Sequence, residues 1–79
     1  MRVYEKNELK KIICDRCGHY IDVTNEIAKE DYFSANKNWG YFSKKDGMSH
    51  SFELCEKCYD IITNVFCIPI EETQMTELI

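Results

Sequence analysis

Two Cys-x-x-Cys pairs constrain this 79-residue chain more than any other feature: Cys14-Asp15-Arg16-Cys17 and Cys55-Glu56-Lys57-Cys58, separated by 37 residues. A domain of this length buries a modest core, and chains this short are often stapled by disulfides, a metal or a partner. A Cys-x-x-Cys turn aims two sulfurs at one point. Two such turns complete the closed tetrahedron of thiolates that suits zinc. Cys14, Cys17, Cys55 and Cys58 are therefore the expected ligands of one Zn²⁺. A shell filled by four protein ligands leaves no position for water or substrate, so the ion's expected role is structural.

The choice of metal over disulfides depends on the compartment. Met1 to Glu8 is charged along its length and has no apolar stretch of the secretory kind, and no run of 18 apolar residues exists. Both features point to a reducing cytoplasm, where paired cysteines hold metals more often than they form disulfides. No membrane partner is expected. The chain is 44% hydrophobic and 30% charged, the balance of a folded domain rather than a disordered one.

The chain reads as one zinc-binding domain over 1–79, with a core of about 10–67, a polar lead-in over 1–9 and an acidic tail over 70–79. Arg2-Val3-Tyr4 reads as an edge strand within the lead-in. Lys10 to Ile13 reads as a strand entering the first cysteine pair, and Tyr20 to Val23 as its return. Residues 24–31 are ambiguous between a loop and one helical turn, and Asp31 to Ser34 is a further short strand. Trp39 to Ser43 and Ser49 to Leu54 have the aromatic content of strands, and Asp46-Gly47 between them is a turn signal. These predict a hairpin over about 39–54, with Trp39 and Tyr41 on one face and Phe52 and Leu54 together on the partner strand. Cys58, Ile61, Ile62, Val65 and Phe66 then recur at helical spacing, up to a stop before Pro69.

Gly18 after Cys17 can take the left-handed conformation that turns backbone N–H groups toward thiolate sulfur. Cys58 is followed by Tyr59-Asp60 instead, which makes sense if Cys55 and Cys58 occupy the first turn of a helix, where free N–H groups face outward. The predicted class is α+β: a zinc knuckle, β-hairpins and a C-terminal helix. This order resembles the treble-clef zinc fingers, within the broader zinc-ribbon and rubredoxin-like group, over roughly residues 10–67. Trp39-Gly40-Tyr41-Phe42-Ser43-Lys44-Lys45-Asp46-Gly47, together with Leu54-Cys55-Glu56-Lys57-Cys58-Tyr59-Asp60, is similar to a group of small zinc-finger proteins of Firmicutes and their mobile elements. The resemblance implies the metal and the fold but no particular activity, since treble clefs serve many roles.

Other groups read as follows. Cys67 is a small buried hydrophobe at the helix end. His19 and His50 are solvated side chains before they are substitute ligands. The helix offers Glu56, Asp60 and Asn64 but no histidine, which argues against a nuclease, and no enzymatic activity is expected. Tyr32, Phe33, Trp39, Tyr41, Phe42, Phe52, Tyr59 and Phe66 are expected mainly in the core. The alternative is an exposed aromatic surface around Trp39, Tyr41, Lys44 and Lys45 that grips a protein or stacks bases.

The formal charge is −4, and residues 55–79 carry five acids against Lys57 alone, so the chain as a whole does not attract phosphate. Three functions follow. The first is a zinc-stabilised interaction module with a protein partner. The second is a nucleic-acid-binding zinc finger in which Lys10, Lys11, Arg16, Lys37, Lys44 and Lys45 converge. The third is a rubredoxin-like electron carrier with iron on the same sulfurs. The oligomeric state is left open by the sequence.

Overall fold

The computed structural model describes residues 1–75. Four strands form an antiparallel meander: β1 (Arg2–Glu5), β2 (Glu8–Ile13), β3 (Tyr20–Thr24) and β4 (Ile27–Ala28). A second sheet pairs β5 (Tyr32–Asn38) with β6 (Ser49–Cys55), and the helix α1 (Glu56–Thr63) follows β6 without a break.

The meander forms around one aliphatic layer. Along β3 the side chains alternate, so Ile21 and Val23 point inward while Tyr20, Asp22 and Thr24 face solvent. Ile12 of β2 stands directly opposite Ile21, and both are fully buried. Leu9, Ala28 and Tyr32 complete that cluster. Burying each isoleucine contributes about 2 kcal/mol. The second cluster has a different composition: Cys14, Cys55 and Cys58 surround Leu54, with Ile62 packed against them.

Two chain reversals in the meander are two-residue turns with positive φ at both positions. Lys6 (51°) and Asn7 (66°) join β1 to β2, and Asn25 (52°) and Glu26 (66°) join β3 to β4. This is the turn geometry whose twist matches that of paired strands. Asparagine tolerates the left-handed region, whereas Lys6 and Glu26 occupy it at a cost. The sequence has no Asn-Gly here, which is why residues 24–31 read as ambiguous. The polar lead-in over 1–9 is in fact half of the β1–β2 hairpin.

The second hairpin is also shifted from its expected place. Its first strand is Tyr32–Asn38, with Phe33 opposite Leu54 and Ala35 opposite Phe52. Trp39 to Ser43 is not a strand, so Trp39 and Tyr41 do not share a strand face. Residues 39–48 form one loop, closed by Trp39 N–H on the Met48 carbonyl (2.9 Å) and folded by successive turns such as Ser43 N–H on Gly40 O (3.0 Å). Asp46-Gly47 does turn the chain, with Gly47 at φ 85°, but inside this longer loop.

The helix is a turn shorter than its apolar stripe suggests. The Thr63 hydroxyl donates back to Tyr59 O (2.9 Å), and Val65 and Phe66 follow in tightened turns outside the helix. The aromatic core expectation fails with it. None of the eight aromatics is buried, because so short a helix covers only one end of the β5–β6 hairpin. Cys67, expected to be buried, is exposed. Residues 71–75 have no regular structure, and the last four residues of the predicted tail lie outside the described ones.

A polar clamp joins the two sheets. Asp15 N–H donates to Glu53 O (2.8 Å), and Glu53 N–H donates to Asp15 Oδ2 (2.9 Å). The Glu53 carboxylate, 6% exposed, accepts from the Met1 nitrogen (2.8 Å) and Ser34 Oγ (3.1 Å), with Arg2 Nε at 3.5 Å. Burial alone would raise the pKa of Glu53. The Met1 and Ser34 hydrogen bonds and the Arg2 charge outweigh that and hold it below the ordinary carboxylate value.

Substitutions in the strained turn and in the aliphatic layer should act in opposite directions. Glu26→Gly relieves the left-handed strain and should stabilise the metal-loaded protein by about 1 kcal/mol. Ile21→Val should destabilise it by about 1 kcal/mol. Thermal melts should show shifts of several degrees in opposite directions.

Candidate metal centre

The chain delivers four sulfurs to one place from two distant segments. Cys14 leaves the end of β2 and opens a tight reversal in which Gly18 N–H donates to Cys14 O (3.0 Å) and Cys14 N–H donates to His19 O (2.8 Å). Gly18 takes φ 81°, as the sequence requires, and His19 N–H then points at Cys17 Sγ (3.4 Å). The other two come from the strand-to-helix junction: Cys55 is the last residue of β6 and the N-cap of α1, and Cys58 lies in the helix's first turn. The Asp15–Glu53 clamp couples the two parts, since it ties the residue after Cys14 to the strand that ends in Cys55.

The four Sγ atoms all lie within 4.8 Å of one another. Four sulfurs held about 2.3 Å from one ion at tetrahedral angles stand about 3.8 Å apart. Cys17 Sγ and Cys55 Sγ are separated by 3.8 Å, and all four cysteines are free thiols. That spacing is far beyond a disulfide bond of about 2 Å. Cys14, Cys55 and Cys58 are buried, while Cys17 is exposed. The donor set suits a tetrahedral metal ion, with all four positions filled by protein.

Electrostatics explain why the cluster calls for a cation. Burial works against a thiolate at Cys14, but hydrogen bonds from the backbone of Cys55, Cys17 and Arg16 prevail and pull its pKa down to about 6. Cys58 goes the other way. Burial and the crowding of Cys17, Cys55 and Cys14 push it to about 12, even though Arg16 Nη1 stands 3.6 Å from its sulfur. Four adjacent sulfurs cannot all ionise unless a positive charge sits among them. A metal ion held by the four sulfurs would supply that charge, and Arg16 would offset part of the remaining excess.

Of the other groups singled out in the sequence, neither histidine joins the tetrad. His19 Nε2 lies 3.0 Å from Glu30 Oε2, and His50 Nδ1 accepts from Trp39 Nε1 (3.1 Å). Trp39, Lys44, Lys45 and Tyr41 lie in the loop at the far end of the β5–β6 hairpin. Lys45 Nζ sits over the Trp39 ring at 4.8 Å and Lys37 Nζ at 5.6 Å. Tyr41 is 84% exposed and meets Phe42, 99% exposed, edge-on at 5.4 Å. Asp15 and Arg16 are the residues the sequence reading passed over as site elements. Both fall between Cys14 and Cys17, and only the folded register shows that one clamps β6 and the other faces Cys58.

Comparisons with protein-family models, curated proteins and solved structures find no match in any of the three.

Two outcomes follow from this geometry. Asp15→Ala removes the side-chain half of the clamp while sparing the ligands and the backbone bond to Glu53 O, so metal affinity should fall about 10-fold, the lower end of the loss typical of groups that orient ligands. Competition with a chromophoric chelator measures it, and Asp22→Ala, on the solvent face of β3, should leave affinity unchanged. Metal uptake should also displace the Cys58 proton, so apparent affinity should rise with pH. Calorimetry in buffers of different ionisation enthalpy counts the protons released.

Proposed function

We propose that the chain is a structural-zinc module whose stapled scaffold serves macromolecular contact in the cytoplasm, with a protein as partner. The observation that carries the reading is the convergence of the Cys14, Cys17, Cys55 and Cys58 sulfurs within 4.8 Å of one another, with Cys17 and Cys55 at 3.8 Å, the edge of a tetrahedral tetrathiolate. In this reading the knuckle, the hairpin and the helix that supplies the last two ligands form a treble-clef or zinc-ribbon-like arrangement. Zinc is preferred to iron because the second pair lies at a helix start rather than in a second knuckle of the rubredoxin kind. The role is non-catalytic, since the sulfurs close the shell and leave the ion no position for substrate.

A protein partner is favoured over nucleic acid by what Lys10, Lys11 and Arg16 already touch and by the geometry of the loop rings. Lys10 Nζ is paired with Glu8 (2.9 Å), Lys11 lies over the Tyr20 ring (4.7 Å), and Arg16 faces Cys58. Two ammonium groups crowd the ring of Trp39, and the Tyr41 and Phe42 rings stand at 85° to each other rather than forming a parallel platform for bases. Among the described residues no helix is long and apolar enough to cross a membrane.

Zinc binding to thiolates contributes on the order of 10 kcal/mol in small domains, more than this core can replace. Protein purified under reducing conditions should be colourless and carry one zinc per chain. Cys58→Ser should lose the metal and unfold, as read by circular dichroism. A Cys58→Ser protein with wild-type melting and full metal content would refute the proposal, and a coloured, iron-loaded protein would favour the electron carrier.

A further inference from the structure

We propose that the outer face of the β5–β6 hairpin is where a second copy of this chain docks, the two hairpins running antiparallel about a two-fold axis. The inference rests on the interaction-module reading and names its partner.

Antiparallel pairing places Phe33, Ala35 and Lys37 on the same face as Leu54, Phe52 and His50. The helix covers one end of this face: Leu54 is buried and Tyr59 packs on Phe33 at 5.1 Å. Beyond the helix the face is open. Phe33 and Phe52, 6.5 Å apart, both remain exposed, and Trp39 extends the stripe through its contact with His50. Apolar sheet faces are normally covered, and nothing else among the described residues covers this one.

The two ends of the face differ in charge. At the loop end are Lys37, Lys44 and Lys45 against Asp46 alone, beside the protruding rings of Tyr41 and Phe42. At the helix end, Asp31 and Glu56 rim a cavity of about 230 Å³ walled by Tyr32, Phe33 and Tyr59. Acid rim and basic tip are separated by the length of a strand pair, roughly 20 Å at about 3.3 Å per residue. That exceeds twice the Debye length of about 8 Å, so the two ends act as separate charges. It also keeps the loop from reaching the cavity of its own chain.

A second copy turned end for end satisfies both ends at once. Each loop brings its lysines to the partner's Asp31 and Glu56, with an aromatic ring over the partner's cavity, while the Phe33–Phe52 stripes meet in the middle. The contact is self-complementary and closes at two chains. The face is one hairpin wide, below the ~800 Å² per partner of tight complexes, so a dimer forming at tens of micromolar, roughly, is expected.

Sedimentation equilibrium of the metal-loaded protein from about 5 to about 200 μM tests the proposal. The wild type should pass from monomer to dimer across that range. Lys44→Glu/Lys45→Glu should stay monomeric, as should Asp31→Lys/Glu56→Lys, because each puts like charges at both contacts. An equimolar mixture of the two should dimerise at least as strongly as the wild type. Phe42→Ser, at a residue that supports no other part of the fold, should weaken the dimer at least fivefold. Zinc content and melting curves on each sample separate loss of the fold from loss of the contact. A wild type that is monomeric at 200 μM while holding its zinc overturns the inference, as does a dimer that neither charge reversal disturbs. Binding of a monomeric chain through this loop to poly(U) or to anionic vesicles would likewise overturn it by giving the face another occupant.

Discussion

The convergence of four thiols is the contact on which the rest of this fold depends. Only seven apolar or cysteine residues are buried among those described, and three of them are Cys14, Cys55 and Cys58. The remaining four, Ile12, Ile21, Val23 and Leu54, are too few to offset the entropy of ordering a chain of this length. Three of the seven interior residues are thus thiols, which cannot all ionise side by side. Without a cation between them they repel or stay protonated. With one they become the strongest local interaction in the molecule.

The arrangement around the sulfurs follows from that constraint. The reversal after β2 exposes backbone N–H groups, and the start of α1 presents more. Arg16 brings a cation to the most deeply buried thiol, Cys58. The Asp15–Glu53 clamp fixes the distance between the two ligand pairs, and Glu53 is itself held by Met1, Ser34 and Arg2. Among the described residues no buried side-chain polar atom lacks a hydrogen-bond partner. The first hairpin therefore carries more of the structure than a polar lead-in would, because it brings Met1 and Arg2 to the clamp.

The site was legible in the sequence because its signal is chemical: two Cys-x-x-Cys pairs and a glycine after one of them. Strand β3 was legible through alternation, the end of β2 as a short run into the first cysteine pair, and α1 through its period. What was not legible depended on tertiary context. Trp39, Tyr41 and Phe42 have strand-like composition, yet no partner strand or core lies under them, so they became an exposed loop. Val65 and Phe66 continue the helical stripe, but the Thr63 hydroxyl competes for the last carbonyls and nothing covers their side chains. The Lys6-Asn7 and Asn25-Glu26 turns lack glycine, so their hairpins carried no strong turn signal. Asp15 carried no signal, and Arg16 counted only among the basic residues of a nucleic-acid face, because their partners in the site are distant in sequence.

The most direct measurement of the central claim is X-ray absorption at the zinc edge on protein purified under reducing conditions. A single shell of four sulfurs at about 2.3 Å, with no lighter neighbour, is expected. A shell containing nitrogen or oxygen, or protein whose cysteines are paired as disulfides and which holds no zinc, would contradict it.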